Sequence, residues 1–432
     1  MSGIIELWKT LGIDIDKHNK LLQSQGSYIK EIVAIQKNRP QKMAYFDSLV
    51  TESHFKRLPD LVNFKAQGNK IVGAFCLYAP EELVYAAGAV MVGLCGGAQF
   101  PIADAETILP RNLCPLIKSS FGFKIGRICP YFQLSDMLVG ETTCDGKKKM
   151  YELLNEETPM HVIEIPHNPN TPHGRTLWLK ELELFKERLE ELTGNKITPE
   201  RLKQSIDLIN NRRAALKRLS DLRRAIPSPI SGIDALLVNQ VSSNDNLVRS
   251  TAKIHELCDE LDERVRNGVG ATGKDAVRLL VTGSPMTLPN LKLHSIAESL
   301  GASVVVEESC SGTRYFNRFV SPKGDSMGAL LDALVDRYAA INCACVTPNP
   351  SRLQNVSDLS CVFKVDGVIN YTLQYCHAFN VEGVKIANLF KKQDMPLINV
   401  ESDYTREDSA QIRTRLEAFL ELIIAKAESK MN

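Results

Sequence analysis

The sequence predicts an α/β fold, with two parallel-sheet domains and a helical region between them. Three observations carry that prediction. Residues 70–165 alternate strand-like and helix-like segments, the same alternation returns from residue 277, and the intervening text is amphipathic and helical. Such alternation favours parallel strands covered by the helices that connect them. The outer parts therefore read as Rossmann-like (flavodoxin-like) domains, and 432 residues leave room for roughly three domain-sized units. The boundaries fall at an N-terminal helical segment 1–69, an α/β domain 70–175, a helical region 176–270 and a second α/β domain 271–432.

The elements follow in order. KIVGAF (70–75) is a strand, and PEELVYAAG (80–88) is a helix opened by Pro80, with Glu81 and Glu82 in its first turn. AVMVGLC (89–95) is a second strand, LCPLIKSSFGF (113–123) a helix, and DMLVGETT (136–143) and HVIEIP (161–166) further strands. HNPNTPHGR (167–175) is a loop dense in Pro, Asn, His and Gly. WLKELELFKERLEELTG (178–194) spaces apolar residues as a helix ending at Gly194, and ITPERLKQSIDLINNRRAALKRLSDLRR (197–224) is a second amphipathic helix. Strands return at VRLLVTGSP (277–285), SVVVEESC (303–310), DGVINYTLQYC (366–376) and PLINVESD (396–403), before a last helix, QIRTRLEAFLELIIAKA (411–427). Two such domains facing each other create a cleft at the carboxyl ends of their strands, where open parallel sheets bind ligands.

Bulk properties narrow the function. A net charge of +1 gives no global field to recruit nucleic acid or an anionic membrane. The start, MSGIIELWKTLGIDIDKHNK, lacks the uninterrupted apolar stretch of a signal peptide. AAGAVMVGLCGGA (86–98) is too short and Gly-rich for a bilayer that needs about 20 helical residues. A cytoplasmic location is the expectation.

Eleven cysteines are the unusual feature, at 76, 95, 114, 129, 144, 258, 310, 343, 345, 361 and 376. An odd count without a signal peptide argues against a disulfide framework, and no Cys-x-x-Cys is present. Cys258, inside the helical HELCDELDERV, reads as a small core residue. Cys76, Cys144, Cys310 and Cys376 instead all follow strands, Cys114 starts a helix and Cys345 lies in a turn. Core packing gives no reason to prefer strand ends. A thiolate that binds metal does have one, because backbone N–H groups and helix dipoles there stabilise negative charge. An iron–sulfur site ranks ahead of zinc on these placements, since cubanes take thiolates from convergent loops.

VGETTCDGKKKMYELL (139–154) poses its own question. Its lysines open a helix, where the dipole favours acidic side chains. A nearby anion would remove the conflict: the run either offsets cluster charge or forms a basic docking edge. GVGATGKD (268–275) nearly spells a phosphate-binding loop, but Asp275 replaces the Ser/Thr and the segment precedes a strand, so it reads as a linker turn. Glu81 and His377 are candidate proton donors beside Cys76 and Cys376; at least one of Glu81 and Glu82 reads as helix-start stabilisation, and His167 and His173 read as solvated loop residues.

CLYAPEELVYAAGA (76–89), LPRNLCPLIKSSFG (109–122), ETTCDGKKKMYELL (141–154) and QYCHAFNVEGVKIANLFKKQDMPLINVESDYTREDSAQIRTRLEAFLEL (374–422) resemble the 2-hydroxyacyl-CoA dehydratase D-component/benzoyl-CoA reductase superfamily. Within it they are most similar to the double-cubane cluster proteins. The resemblance implies an oxygen-sensitive iron–sulfur reductase component. It would hold a cluster in the interdomain cleft, with cysteines from both domains, and form a homodimer. It would receive low-potential electrons from an ATP-hydrolysing iron–sulfur activator and pass them to a small-molecule substrate. Carried over by motif, Cys76, Cys114 and Cys376 match the single-cubane positions. Cys144, Cys310 and Cys345 are then the choice for a second cubane, with Cys129 in reserve, Cys343 competing with Cys345, and Cys95 also following a strand. The cofactor implied is a double-cubane (8Fe–9S) cluster. The alternatives are a single 4Fe–4S cluster in a CoA-thioester dehydratase or aryl-CoA reductase subunit, and a non-catalytic electron carrier or cluster scaffold.

Overall fold

Short apolar runs bounded by turn residues become two four-stranded sheets, every pairing parallel. The computed structural model describes residues 2–94 and 96–431, so Cys95 lies outside the described residues. The first sheet contains β1 (Ile71–Ala74), β2 (Val90–Gly93), β3 (Met137–Glu141) and β4 (Met160–Ile163), in the order β2-β1-β3-β4. The second contains β5 (Arg278–Gly283), β6 (Ser303–Glu308), β7 (Gly367–Leu373) and β8 (Leu397–Ser402), in the order β6-β5-β7-β8. The fold is thus α/β, two Rossmann-like units with the same winding. Both faces of β1, β5, β6 and β7 are buried, which is why their sequences are continuous apolar runs without alternation. In each sheet the chain leaves the first strand in one direction and then crosses to the other side, so switch points fall between β1 and β3 and between β5 and β7.

Most element ends shift by a few residues from the sequence reading, and three of these shifts bear on the site. The strand before Cys144 stops at Glu141, so Thr142 and Thr143 belong to the crossing loop. The helix after it runs over Asp145–Glu157, longer than expected at both ends. The loop 167–175 is shorter than expected, because a helix starts at Pro172: the Thr171 hydroxyl accepts from the Gly174 N–H at 3.0 Å and Pro172 occupies the first turn. That helix ends at Gly194, whose φ of +72° suits a residue without a side chain. The GVGATGKD segment is an irregular connection between the helix Leu247–Arg266 and β5, as its sequence suggested.

The helices between the sheets tie both together. One buried apolar cluster runs from Leu21 through Leu116 and Leu216 to Ile423. From the helix Pro199–Leu222, Arg213 donates to Glu82 at 2.6 Å, and Tyr338, from beyond the second sheet's β6, donates to the same carboxylate at 2.7 Å. Glu82 is therefore more than a helix-start residue: it anchors three elements. The lobes also touch directly. Gly97 donates to Leu288 O at 2.8 Å, and a Cβ there would sit 2.2 Å from Thr287 O, so only glycine permits that approach.

Arg223, just after the same helix, holds the buried Glu307 of β6 through two bonds of 2.7 Å, and His294 Nε2 lies 3.1 Å from the same carboxylate. Burial opposes the Glu307 charge, but the Arg223 guanidinium and these hydrogen bonds win and bring its pKa down to about 2. A depressed carboxyl stabilises the fold above its unfolded pKa near 4.5 and loses that contribution as pH falls towards 2. Roughly 3 kcal/mol should disappear across that window. Acid unfolding followed by circular dichroism should show this loss in the wild type and a flatter profile between those pH values in Glu307→Gln.

Candidate functional site

The cysteines singled out in the sequence sit at the carboxyl ends of the strands. Cys76 lies just beyond β1, Cys144 beyond β3, Cys310 beyond β6 and Cys376 beyond β7. Cys114, Cys144 and Cys376 each precede a helix, at Pro115–Ile125, Asp145–Glu157 and His377–Lys392. Each stands at the N-cap position near first-turn backbone N–H groups, Leu116 and Ile117 for Cys114, Lys147 for Cys144 and Phe379 for Cys376, without a side-chain capping bond. These N–H groups are the otherwise unused donors of a first helical turn, and they favour thiolate.

Two gatherings of thiols result. Cys114 interacts with Cys376, which also lies near Ser284; the first of these does most to draw the Cys376 thiol down to about 7, against burial. The same interaction, ahead of burial, pushes the Cys114 thiol well up. The exposed Cys144 interacts electrostatically with Cys376. On the other side, the interaction with Cys345 is the main cause of a Cys343 thiol near 6, with Arg314 and Arg352 assisting against burial. Cys310 and Cys76 both interact with Cys343. Burial keeps the Cys76 thiol well up and the Cys310 thiol near 11. Cys345 also donates to the Tyr78 hydroxyl at 3.8 Å, and Tyr78 in turn to Ile341 O at 3.3 Å across the lobes. Each gathering thus draws sulfur from both sheets. Among the described residues, no three His, Cys, Asp or Glu side chains close on one point as ligands of a single ion would.

Other candidates separate clearly. Cys258 is fully buried between helices, its S–H directed at Ala215 O at 3.8 Å, as expected of a core residue. Cys129 caps the short helix Pro130–Leu134 and interacts with the Tyr131 and Phe132 backbone, on the wall of a different pocket. Cys361 is exposed. His377 is exposed on the first turn of its helix, and His167 and His173 are exposed on a shallow surface pocket. Glu81 is buried, accepts from Arg212 Nη1 at 3.2 Å and lines the cavity between the lobes.

That cavity, about 230 Å³, has Cys76 and Cys310 on its wall together with Glu81, Lys147, Arg212 and Tyr315. Phe75, Leu77, Met91, Leu216 and Phe316 supply apolar surface. The lysine run is now legible. The Lys147 ammonium pairs with the buried Glu141 and exerts its charge on Cys76, Cys144 and Cys310. Lys148 and Lys149 pair with Asp145 and Glu152 on the outside. The helix-dipole conflict is thus met by carboxylates of the chain itself.

Three cations missed in the sequence complete the site. Arg314 forks onto Glu308 at 2.6 and 2.7 Å and extends Nη1 to Cys310 at 3.9 Å. Arg352 donates to Glu308 at 3.3 Å and pairs with Glu382, and Arg212 stacks on the Tyr315 ring at 5.3 Å. A signal was present: SVVVEES ends an apolar strand with two glutamates, and buried carboxylates demand cations.

The chain matches the family described as 2-hydroxyglutaryl-CoA dehydratase, D-component, over residues 76–423. It is 39% identical over 366 residues, covering 84% of this chain and 94% of the relative, to YjiM of Escherichia coli K12, a protein named as a dehydratase subunit. It is 24% identical to the (R)-phenyllactyl-CoA dehydratase beta subunit of Clostridium sporogenes, over 82% of this chain and 92% of the relative. It is also 24% identical to one of the benzoyl-CoA reductase subunits of Thauera aromatica, over 60% of this chain and 66% of the relative. Among the described residues no helix is long and apolar enough to cross a membrane.

Proposed function

This chain belongs to the 2-hydroxyglutaryl-CoA dehydratase D-component family, and from that premise we propose that it is an iron–sulfur reductase component carrying a double-cubane cluster. The observation that carries the reading is the pair of thiol gatherings, each drawn from both sheets, with Cys76, Cys144, Cys310 and Cys376 just beyond the carboxyl ends of strands. A cubane takes each thiolate on a different iron, so its ligands surround a body instead of converging on a point. The donor set fits such a group. The sulfurs are accompanied by helix N-termini and by Lys147, Arg314 and Arg352, which offset the negative charge of thiolate and sulfide.

The residues that would hold the two halves are Cys114, Cys144 and Cys376 on one side, and Cys76, Cys310 and Cys345 on the other, with Cys343 beside Cys345. This grouping exchanges Cys76 and Cys144 relative to the motif-based choice, because Cys76 interacts with Cys310 and Cys343 while Cys144 interacts with Cys376. Such a group supplies one-electron transfer at low potential. The chain's own part is to bind a small substrate in the cavity, exclude water with Phe75, Leu77 and Met91, and hold protons there. Lys147 lines that cavity, so proton delivery is assigned to its ammonium in preference to His377, which is not on the wall, and to Glu81, which is paired with Arg212. Electrons would come from an ATP-hydrolysing activator docking on a homodimer in the cytoplasm.

Anaerobic purification followed by iron and sulfide analysis tests the reading. About eight irons per chain, two four-iron cubanes, are expected. The second reading is a dehydratase or aryl-CoA reductase subunit with one cubane, which the names of the relatives favour. About four irons and tight binding of a CoA thioester would select it, and an iron-free protein would overturn both.

A further inference from the structure

One wall of the cavity beside Cys76 and Cys310 is left unsatisfied by the protein. Gln240 donates Nε2–H to Met286 O at 2.8 Å, leaving its buried Oε1 without a hydrogen-bond partner. That bond also fixes the amide's orientation, since the carbonyl can only accept. On the same lining, Asn239 Oδ1, Thr287 Oγ1, the Tyr315 hydroxyl and Arg212 Nε are likewise buried without partners. The Tyr315 hydroxyl stands near Glu81 but outside hydrogen-bond geometry. Gln240 is 7% exposed and Arg212 5%, so solvent does not satisfy them. Native proteins pair nearly all such groups, and several unpaired on one wall mark a place where something else supplies the bonds.

The pattern of these groups describes the ligand. Gln240 Oε1 and Asn239 Oδ1 accept, so they require an N–H or O–H group; Tyr315 and Arg212 donate, so they require a carbonyl or similar oxygen. The cations are already matched, Lys147 by Glu141 and Arg212 by Glu81. An added net charge would lie uncompensated in a buried space, and no surplus cation remains on this wall for phosphates. The cavity is about 230 Å³, and a group held by Cys76 and Cys310 would take part of it, so the remainder suits only a small molecule with a short apolar part.

We propose that this wall binds a free, small, net-neutral molecule presenting a carbonyl beside an N–H or O–H group. The proposal rests on the reading of the cleft as a reductase site, and names the substrate class it would take. The probe is lactamide, titrated calorimetrically into the anaerobically purified, iron-containing full chain. Saturable binding is expected in the wild type, weakened about tenfold in Asn239→Leu and in Tyr315→Phe, each losing one buried neutral hydrogen bond, with iron content unchanged. Wild-type affinity in both variants overturns the proposal, as does no lactamide binding to iron-replete protein. Binding of a 2-hydroxyacyl thioester of CoA without lactamide binding overturns it too. Lactamide binding weakened by both variants in a protein devoid of iron supports the proposal while removing the cluster reading, so the two fail separately.

Discussion

Cys376→Ala should lose at least half of the iron bound by the wild type, whereas Cys258→Ala should retain all of it. The contrast follows from where each sulfur sits. Cys376 stands at the N-cap position of the helix His377–Lys392 beyond β7, beside Ser284, and has a thiol drawn down to about 7 chiefly by its interaction with Cys114. It joins the two lobes through sulfur, so its loss leaves Cys114 and Cys144 without the third ligand of their set. Cys258 is as deeply buried as any residue of the chain, packed between Leu247–Arg266 and Pro199–Leu222, with its thiol pushed up to about 12 mainly by burial. Truncating it removes one small apolar group, a packing change that leaves the cleft intact. Iron and sulfide determination on both variants, prepared anaerobically, decides the matter. Equal iron in the two would refute the division of ligand from core cysteine.

What was readable in advance has a clear physical boundary. Strand positions and the parallel architecture followed from local patterns: continuous apolar runs such as VRLLVTG, turn residues between them, and amphipathic helices in the intervals. The placement of Cys76, Cys144, Cys310 and Cys376 at strand ends followed from the same patterns, because one coordinate of each thiol is set by its own strand. Which thiols meet is a different matter. The approach of Cys114 to Cys376 and of Cys76 to Cys310 depends on how one lobe faces the other, and no local sequence encodes that angle. Gly97 against Thr287 and Arg213 against Glu82 set it, and both contacts span more than a hundred residues. The lysine run shows the same limit in miniature. Lys147 and Lys149 are two residues apart in one helix, yet one faces the thiols and the other solvent, and only the partner Glu141, buried at the end of β3, explains the difference.

Arg314→Met should destabilise the protein by about 3–5 kcal/mol, the cost of breaking a buried ion pair by removing one partner. The Arg314 and Glu308 side chains are both fully inaccessible, joined by a fork at 2.6 and 2.7 Å, with a third bond from Nη2 to the Glu308 carbonyl at 3.0 Å. Burial alone would drive Glu308 towards its neutral form; Arg314 and then Arg352 hold it well below the usual carboxylate range. With Arg314 gone, Arg352 at 3.3 Å and the Thr282 hydroxyl at 2.6 Å still hold the carboxylate, but the end of β6 that leads to Cys310 loses its clamp. An exposed comparison is at hand. Arg175 pairs with Asp332 at 3.0 Å from a position 42% exposed, and Arg175→Ala should cost no more than about 1 kcal/mol. Urea unfolding of both variants separates the cases, and a second measurement guards against a trivial loss of fold. In the double variant Arg314→Met/Glu308→Gln the unpaired charge is removed, so part of the stability should return, giving a coupling energy between the two positions. If the single and double variants were equally destabilised, the clamp on the Cys310 turn would be packing instead of charge, and the electrostatic support assigned to that side of the cleft would have to be abandoned.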